Sequence, residues 1–337
     1  MPDSLIVRLP NWLGDTVMAV PTLRALREAF PGARAALAGP WAPLLAGQGL
    51  ADTLVTYPRA WLGRLRMADA VHALGADVAL LLPNSLEAAL AARYWGARRR
   101  IGFAAGGRRR LLTDPVPLPS PRRHQVDEYR SLLAPLGVEA SDPTPQLAPP
   151  DPDCEERRTA RALLADAGAA EGGPIVGVHL GASFGASKAW PAPHVAAFCA
   201  EVRRAGAVAV LLGATADRML AADVVRAAPV PSLVGRDRPE LLTALLAEVD
   251  VLVCGDTGVG HLAAALGTPV VALFGPTDPA LTAPRGRVEV LTHPVPCAPC
   301  FLRACPIEHP CLRGLAPALV AERALALVTA AAEGSSR

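Results

Sequence analysis

Ile175-Val-Gly-Val-His-Leu180-Gly181-Ala-Ser-Phe-Gly185-Ala-Ser-Lys188-Ala-Trp190-Pro191 reads as a short apolar strand, a glycine-containing loop and the opening of a helix. A strand buried in a parallel sheet is a short apolar run, whereas a helix that covers it places apolar residues three and four apart. Working outward, the same signals recur in order. Helix Ala192–Arg204, strand Ala207–Leu212, helices Ala216–Ala227 and Pro239–Glu248, strand Val251–Cys254, helix Gly258–Leu266 and strand Val270–Phe274 are expected. Strands alternating with amphipathic helices make βαβ units and a parallel sheet.

The first half repeats the pattern, with strands expected at Leu5–Leu9, Ala35–Ala38, Thr53–Tyr57 and Val78–Leu82. Ala19, Leu23, Leu26 and Phe30 share one face of the helix after the first strand, and Pro21 marks either a kink or the true start of that helix. From Pro115 to Pro152 the text is proline-rich, broken by one helix near Arg122–Leu136, and reads as a linker. The fold class is therefore α/β, two doubly wound domains in tandem. Residues 1–150 form the first domain with its linker and residues 151–316 the second. The last segment, 317–337, carries a helix that is a candidate to return to the first domain.

A chain of 337 residues is about twice a typical domain, which agrees with that division. Its 33 basic and 31 acidic residues argue against a dedicated nucleic-acid binder, and no apolar run approaches a membrane span. The start, Met1-Pro-Asp-Ser-Leu-Ile-Val-Arg8, has neither the basic region nor the apolar core of a signal peptide, so a cytoplasmic protein with reduced cysteines is expected. The basic residues are 32 arginines and one lysine, Lys188. Under the GC-rich bias of this composition a lysine that arginine could replace tends to drift, which singles Lys188 out.

Ligands of open α/β sheets sit beyond the carboxyl ends of the strands, so the residues just after each strand are the candidates. Pro10-Asn11-Trp12-Leu13-Gly14-Asp15 follows the first strand. Asp15 is either a first-turn acid favoured by the helix dipole or a general base. The absence of Gly-x-Gly-x-x-Gly weighs against a nicotinamide enzyme. Gly181 to Lys188 makes a small anion-binding loop that is not a Walker A loop. Gly255-Asp256-Thr257-Gly258-Val-Gly260-His261 opens a helix whose amides face an anion, with Asp256 expected to cap the helix or tune a neighbour.

Two further groups stand apart from these loops. Cys297, Cys300, Cys305 and Cys311 are candidate ligands for a structural zinc or iron, against the alternative of small buried residues in a proline-stiffened loop. Arg98 to Arg100 and Arg108 to Arg110 are by default a solvated face. Around a flexible loop they would also collect an acidic or phosphorylated acceptor.

Arg8-Leu-Pro-Asn-Trp-Leu-Gly-Asp-Thr-Val-Met18, Leu82-Pro-Asn-Ser85, His124-x-Val-x-x-Tyr129, the Gly181–Pro191 loop and Asp256-Thr-Gly-x-x-His261-x-Ala-Ala-Ala-x-Gly-x-Pro-x-Val-Ala-Leu-Phe-Gly-Pro-Thr277-x-Pro279 together resemble the ADP-heptose:lipopolysaccharide heptosyltransferases, most of all the heptosyltransferase II branch. The resemblance runs over nearly the whole chain. It implies a GT-B fold of two Rossmann-like domains facing across a cleft, acceptor on the first and ADP-sugar on the second. It also implies inverting transfer of heptose from ADP-L-glycero-β-D-manno-heptose to an inner-core lipopolysaccharide heptose, with no cofactor required for catalysis.

Family roles fall on Asp15 as general base and Lys188 on the diphosphate. Gly14, Ser183, Ser187, Asp217, Asp256, Thr257, Gly258 and His261 are expected at the donor, with Asp217 on the ribose. Asn11, Trp12, Asn84, Arg108, Arg109 and Arg110 are expected at the acceptor. Peripheral contact with the cytoplasmic membrane face and no nucleic-acid partner complete the expectation. Three rivals remain at this point: transfer to an acceptor other than lipopolysaccharide, a nucleotide-sugar epimerase, and a catalytically silent nucleotide-binding protein. The epimerase trails because only Asp15 and His261 stand out as acid/base groups, and the presence of Asp15 argues against the silent protein.

Overall fold

The computed structural model describes the whole chain except residues 59–60, 170–172, 182–184, 237 and 336–337. It forms two compact units, Met1–Pro145 and Gln146–Arg337. The boundary falls inside the proline-rich zone.

The first unit holds β1 (Ser4–Arg8), β2 (Arg34–Gly39), β3 (Thr53–Thr56), β4 (Val78–Leu81), β5 (Arg99–Phe103) and β6 (Asp114–Val116). All six are parallel, in the order β3-β2-β1-β4-β5-β6, so the winding reverses between β1 and β4. Helices α1 (Leu13–Met18), α2 (Val20–Ala29), α3 (Trp61–His72), α4 (Leu86–Tyr94) and α5 (Gln125–Ser131) accompany them. Every residue of β1 and β4 is buried, as their near-continuous apolar runs require when both sheet faces are covered. Pro21 sits in the first turn of α2, where proline is tolerated, so the helix begins there instead of kinking.

Two strands of this sheet lie where the sequence reading has none. β5 opens on two arginines and gives no apolar signal. Their charge is absorbed locally: Arg99 bonds Asp114 at 2.7 Å, and Arg100 donates to the carbonyls of Ala97 at 2.7 Å and Leu111 at 2.8 Å. The arginine run expected around a flexible loop is therefore partly a strand. β6, Asp-Pro-Val, falls in the expected linker and tolerates Pro115 because it is the sheet edge.

The second unit holds β7 (Ile175–His179), β8 (Val208–Leu212), β9 (Val251–Gly255), β10 (Val270–Phe274) and β11 (Val288–Thr292). They are parallel in the order β11-β10-β9-β7-β8, with the reversal between β7 and β9. Its helices are α6 (Glu155–Asp166), α7 (Ala192–Arg204), α8 (Arg218–Ala227), α9 (Pro239–Leu246), α10 (Gly258–Ala265), α11 (Pro279–Thr282), α12 (Pro310–Arg313) and α13 (Pro317–Ser335). Val176, Val178, Leu211, Val253 and Val271 of the sheet pack with Val195, Phe198 and Val202 of α7. Segment 317–337, considered for a return to the first domain, places Val320, Ala321 and Ala324 in this same core, with α13 against α7. No helix among the described residues is long and apolar enough to cross a membrane.

Candidate active site

Each sheet brings its two most suggestive loops together at its own point of reversal, the usual ligand position of doubly wound sheets. In the second unit these loops follow β7 and β9. A single 3-10 turn, Ala186–Lys188, carries the lysine, and its ammonium donates to Asp256 Oδ2. Thr277, just beyond β10, donates to the same oxygen at 2.7 Å. The side chains of Lys188 and Asp256 are only 10% and 9% exposed, and such burial is tolerable for a charge when it is paired and hydrogen-bonded. Gly255 permits the approach, since a Cβ there would stand 2.7 Å from the Lys188 carbonyl oxygen.

Asp256 is thus not the helix cap. Thr257 is, its hydroxyl accepting from the Val259 N–H at 3.2 Å, and α10 begins at Gly258. His261 lies buried one turn further on. The assembly is an ammonium beside a helix N-terminus, two features that favour an anion, with one carboxylate holding the ammonium in place.

Asp217 comes to the same end of the sheet. Its Oδ2 accepts from the Ala214 N–H at 2.8 Å, and Gly181 and Gly213 make room for it: a Cβ on either would stand 2.3 or 2.9 Å from that oxygen. Ser183 lies outside the described residues. Ser187 requires a correction as a donor ligand, because it is 1% exposed and its hydroxyl donates to the Leu302 carbonyl at 2.5 Å. Its N–H donates to the Arg303 carbonyl, while the N–H groups of Cys300 and Phe301 donate to the Pro276 carbonyl. Residues 300–303 therefore brace the two loops that carry Lys188 and Thr277.

That structural duty also bears on the cysteines. Among the described residues no group of three or more His, Cys, Asp or Glu is arranged to hold a metal ion, so the expected zinc or iron set at Cys297, Cys300, Cys305 and Cys311 is not assembled. Cys297 is exposed, Cys305 accepts the His309 N–H at 3.2 Å, and Cys311 is buried against Gly275. Burial pushes the Cys311 thiol up from its ordinary value. Backbone bonds and residues of positive φ, Phe301, Glu308 and His309, give the loop its shape.

His179, the last residue of β7, is a site-end residue the sequence reading passed over. Burial lowers its pKa to about 4, so the ring is neutral at neutral pH, and its Nδ1 has no hydrogen-bond partner among the described residues. Its one sequence signal is a lone polar side chain in an apolar strand.

In the first unit the candidate loops follow β1 and β4, the neighbouring strands at the reversal. The chain has only two asparagines, Asn11 and Asn84, and each stands in one of these loops. Asn11 Oδ1 accepts from Arg8 at 2.9 Å, and Asn84 Oδ1 accepts from Arg108 at 3.1 Å. Both arginines are 0% exposed. Arg8 lies over the Tyr57 ring, 4.5 Å from its centroid, a cation–π contact, and burial lowers its pKa. Arg108 donates further to the carbonyls of Phe103 at 3.0 Å, Pro83 and Ser85, and burial takes its pKa to about 10. Each asparagine side-chain carbonyl is thereby held by a buried guanidinium.

Arg108 was expected on the acceptor. Its donors are consumed by the protein, and only Arg109 and Arg110 of its triplet are exposed. Arg108→Met should therefore cost roughly 2–4 kcal/mol in urea unfolding by leaving several buried carbonyls unpaired. A loss under 0.5 kcal/mol, about the level of an ordinary surface change, would show that the guanidinium is not anchoring this loop.

Asp15 is the third residue of α1, after Gly14, and is partly exposed, and Trp12, 52% exposed, precedes the helix in extended conformation. α5 packs on α1 and buries Tyr129. Burial first, and the Asp15 charge second, raise the Tyr129 phenol well above its ordinary value, which places that phenol in the field of the carboxylate.

Comparison with known proteins agrees over most of the chain. A family model described as glycosyltransferase family 9 (heptosyltransferase) matches residues 64–310. Lipopolysaccharide heptosyltransferase 2 of Salmonella typhimurium is 29% identical over 301 residues, covering 83% of this chain and 85% of the relative. The solved structure of E. coli ADP-heptose lps heptosyltransferase II matches with a TM-score of 0.79 at 25% identity, over 97% of this chain and 98% of that one. A glycosyl transferase of family 9 from Veillonella parvula shares the fold with a TM-score of 0.84 at 21% identity, over 97% of each chain.

Proposed function

The chain belongs to glycosyltransferase family 9, the heptosyltransferases, with the GT-B fold of two Rossmann-like units, and we propose that it transfers heptose from ADP-L-glycero-β-D-manno-heptose to an inner-core heptose of lipopolysaccharide. The observation that carries the donor half is the placement of the only lysine of the chain beside Asp256 and the N-terminus of α10. A departing nucleoside diphosphate is the anion this arrangement suits. The acceptor half rests on Asp15 and the two clamped asparagines of the first unit.

In this reading the Asp15 carboxylate takes the proton of the acceptor hydroxyl as its oxygen bonds to the anomeric carbon of heptose. The bond from that carbon to the ADP oxygen breaks, with inversion, and the electron pair leaves on the diphosphate. Lys188 and the first amides of α10 meet that developing charge, and they need no metal ion to do so. Asn11, Asn84 and Trp12 orient the acceptor sugar, while Arg109 and Arg110 receive its phosphate or acidic substituents.

The test is a transfer assay with defined core acceptors. ADP-heptose should be consumed with heptose appearing on the heptose-bearing inner core, while UDP and GDP sugars are ignored. Consumption of ADP-heptose with heptose appearing on a different acceptor would remove the lipopolysaccharide part of the proposal, and indifference to ADP-heptose would remove the whole.

A further inference from the structure

β7 is apolar up to its last residue, His179, which stands at the ligand end of the sheet between β8 and β9. Its register partners are Leu212 on one side and Cys254 on the other. Partners in neighbouring parallel strands point to the same face, and successive residues of one strand point to opposite faces. Val178 and Val253 lie in the core with α7, so His179 and Cys254 face the other way. Gly260 of α10 agrees, since a Cβ there would stand 2.7 Å from Cys254 Sγ. The imidazole is thus carried on the α10 face of the sheet, beside the strand whose loop opens that helix.

A buried nitrogen without a partner lowers stability, and an aliphatic residue would fill this place in an apolar strand without that cost. His179 Nδ1 is such a nitrogen among the described residues, while the residue as a whole is partly exposed. At the ligand end of a doubly wound sheet, an unpaired polar group of this kind points to a ligand that completes it. The ring, with its pKa lowered to about 4 by burial, carries no charge to offer a diphosphate, for which Lys188 and α10 are the candidates. It suits a neutral hydroxyl.

Asp217 indicates which hydroxyl. Cβ atoms on Gly181 and Gly213, two residues beyond His179 and one beyond Leu212, would stand 2.3 and 2.9 Å from its Oδ2. The carboxylate and the imidazole therefore belong to the same corner of β7 and β8. A carboxylate only accepts hydrogen bonds, whereas each of two neighbouring ribose hydroxyls both donates and accepts. A neutral imidazole supplies one N–H and one lone pair, so it adds the donor that a carboxylate lacks.

We propose that His179 hydrogen-bonds a ribose hydroxyl of the bound nucleotide and, with Asp217, sets a preference for ribose over deoxyribose. The inference rests on the ADP-sugar reading above and adds to it a binding residue that carries no charge.

The experiment is calorimetric titration of the full chain with ADP, 2′-deoxy-ADP and 3′-deoxy-ADP. The wild-type chain should bind one of the deoxy nucleotides severalfold more weakly than ADP. His179→Leu should bind ADP about two- to tenfold more weakly, the range that one hydrogen bond spans, and should lose the discrimination by the same factor. His179→Gln keeps a donor and an acceptor and should recover part of both. The unfolding midpoint of nucleotide-free His179→Leu should equal or exceed that of the wild type, because the unpaired nitrogen is gone. A lowered midpoint in His179→Leu would mark the ring as a packing residue and overturn the proposal. Discrimination unchanged in His179→Leu overturns it too, since any loss of ADP affinity would then lie with the base or the phosphates. A wild-type chain that binds no ADP removes the donor reading and this inference together, whereas ADP binding that His179→Leu leaves untouched removes this inference alone.

Discussion

Asp15→Asn should lower kcat for heptosyl transfer by about 10²–10⁴-fold, the range a positioned general base contributes, while ADP-heptose binding and the unfolding midpoint stay close to wild type. The contrast between the two readouts comes from the position of the residue. As the third residue of α1 an acid there is favoured by the helix dipole, an effect of only ~0.3–1 kcal/mol. Asparagine forfeits that small amount and keeps the shape, so a purely structural Asp15 would leave turnover almost intact. A base, by contrast, cannot be replaced by an amide that accepts no proton at neutral pH. The donor is assigned to groups of the other unit, which is why its binding should survive. Wild-type turnover in the variant would return Asp15 to the rank of a first-turn acid.

The position of the candidate loops is legible because doubly wound sheets put ligands after their strands. The loops after β1, β7 and β9 follow apolar runs that the sequence marks as strands, and the solitary lysine lies in one of them. Inward-facing arginines were not legible. Arg99, Arg100 and Arg108 read by default as a solvated face, yet Arg108 is fully buried and the other two bond within the sheet, and Arg8, which the sequence offers only as part of a motif, is fully buried too. Spacing gives no sign of this, because the carbonyls that receive a guanidinium come from residues distant in sequence, such as Pro83 for Arg108.

The same limit explains Ser187. A serine one residue before a lysine expected on a diphosphate suggests a ligand, and only the path of residues 300–303 shows that its hydroxyl is spent on the Leu302 carbonyl. Thr277 stands inside the family motif that runs on from His261 to Gly275-Pro-Thr277, yet the motif assigns it no partner, and only the fold brings its hydroxyl to Asp256. The cysteine loop failed in the opposite direction: four cysteines close together in sequence suggested four ligands to one ion, and among the described residues no such group is assembled.

Lys188→Ala should lower kcat/KM by the equivalent of roughly 2–4 kcal/mol, about 30- to 900-fold, the scale of losing one preorganised charge opposite a leaving group. Removal also leaves Asp256 as an uncompensated carboxylate where the diphosphate must arrive, so donor affinity should fall with turnover. Lys188→Arg isolates shape from charge. The ammonium is compact and is held by Asp256, itself bonded to Thr277, in a space where both ion-pair side chains are about a tenth exposed. A planar guanidinium is broader, prefers to engage a carboxylate through two parallel bonds, and would be drawn onto Asp256 at the expense of the phosphate. Lys188→Arg should therefore be impaired as well, with the deficit read in steady-state transfer and in ADP binding. In a chain whose other basic residues are 32 arginines, full activity of Lys188→Arg would mean that any cation serves and that the single lysine is an accident of codon drift. Activity restored in Lys188→Arg by the second change Asp256→Asn would locate the fault in the carboxylate that captures the guanidinium.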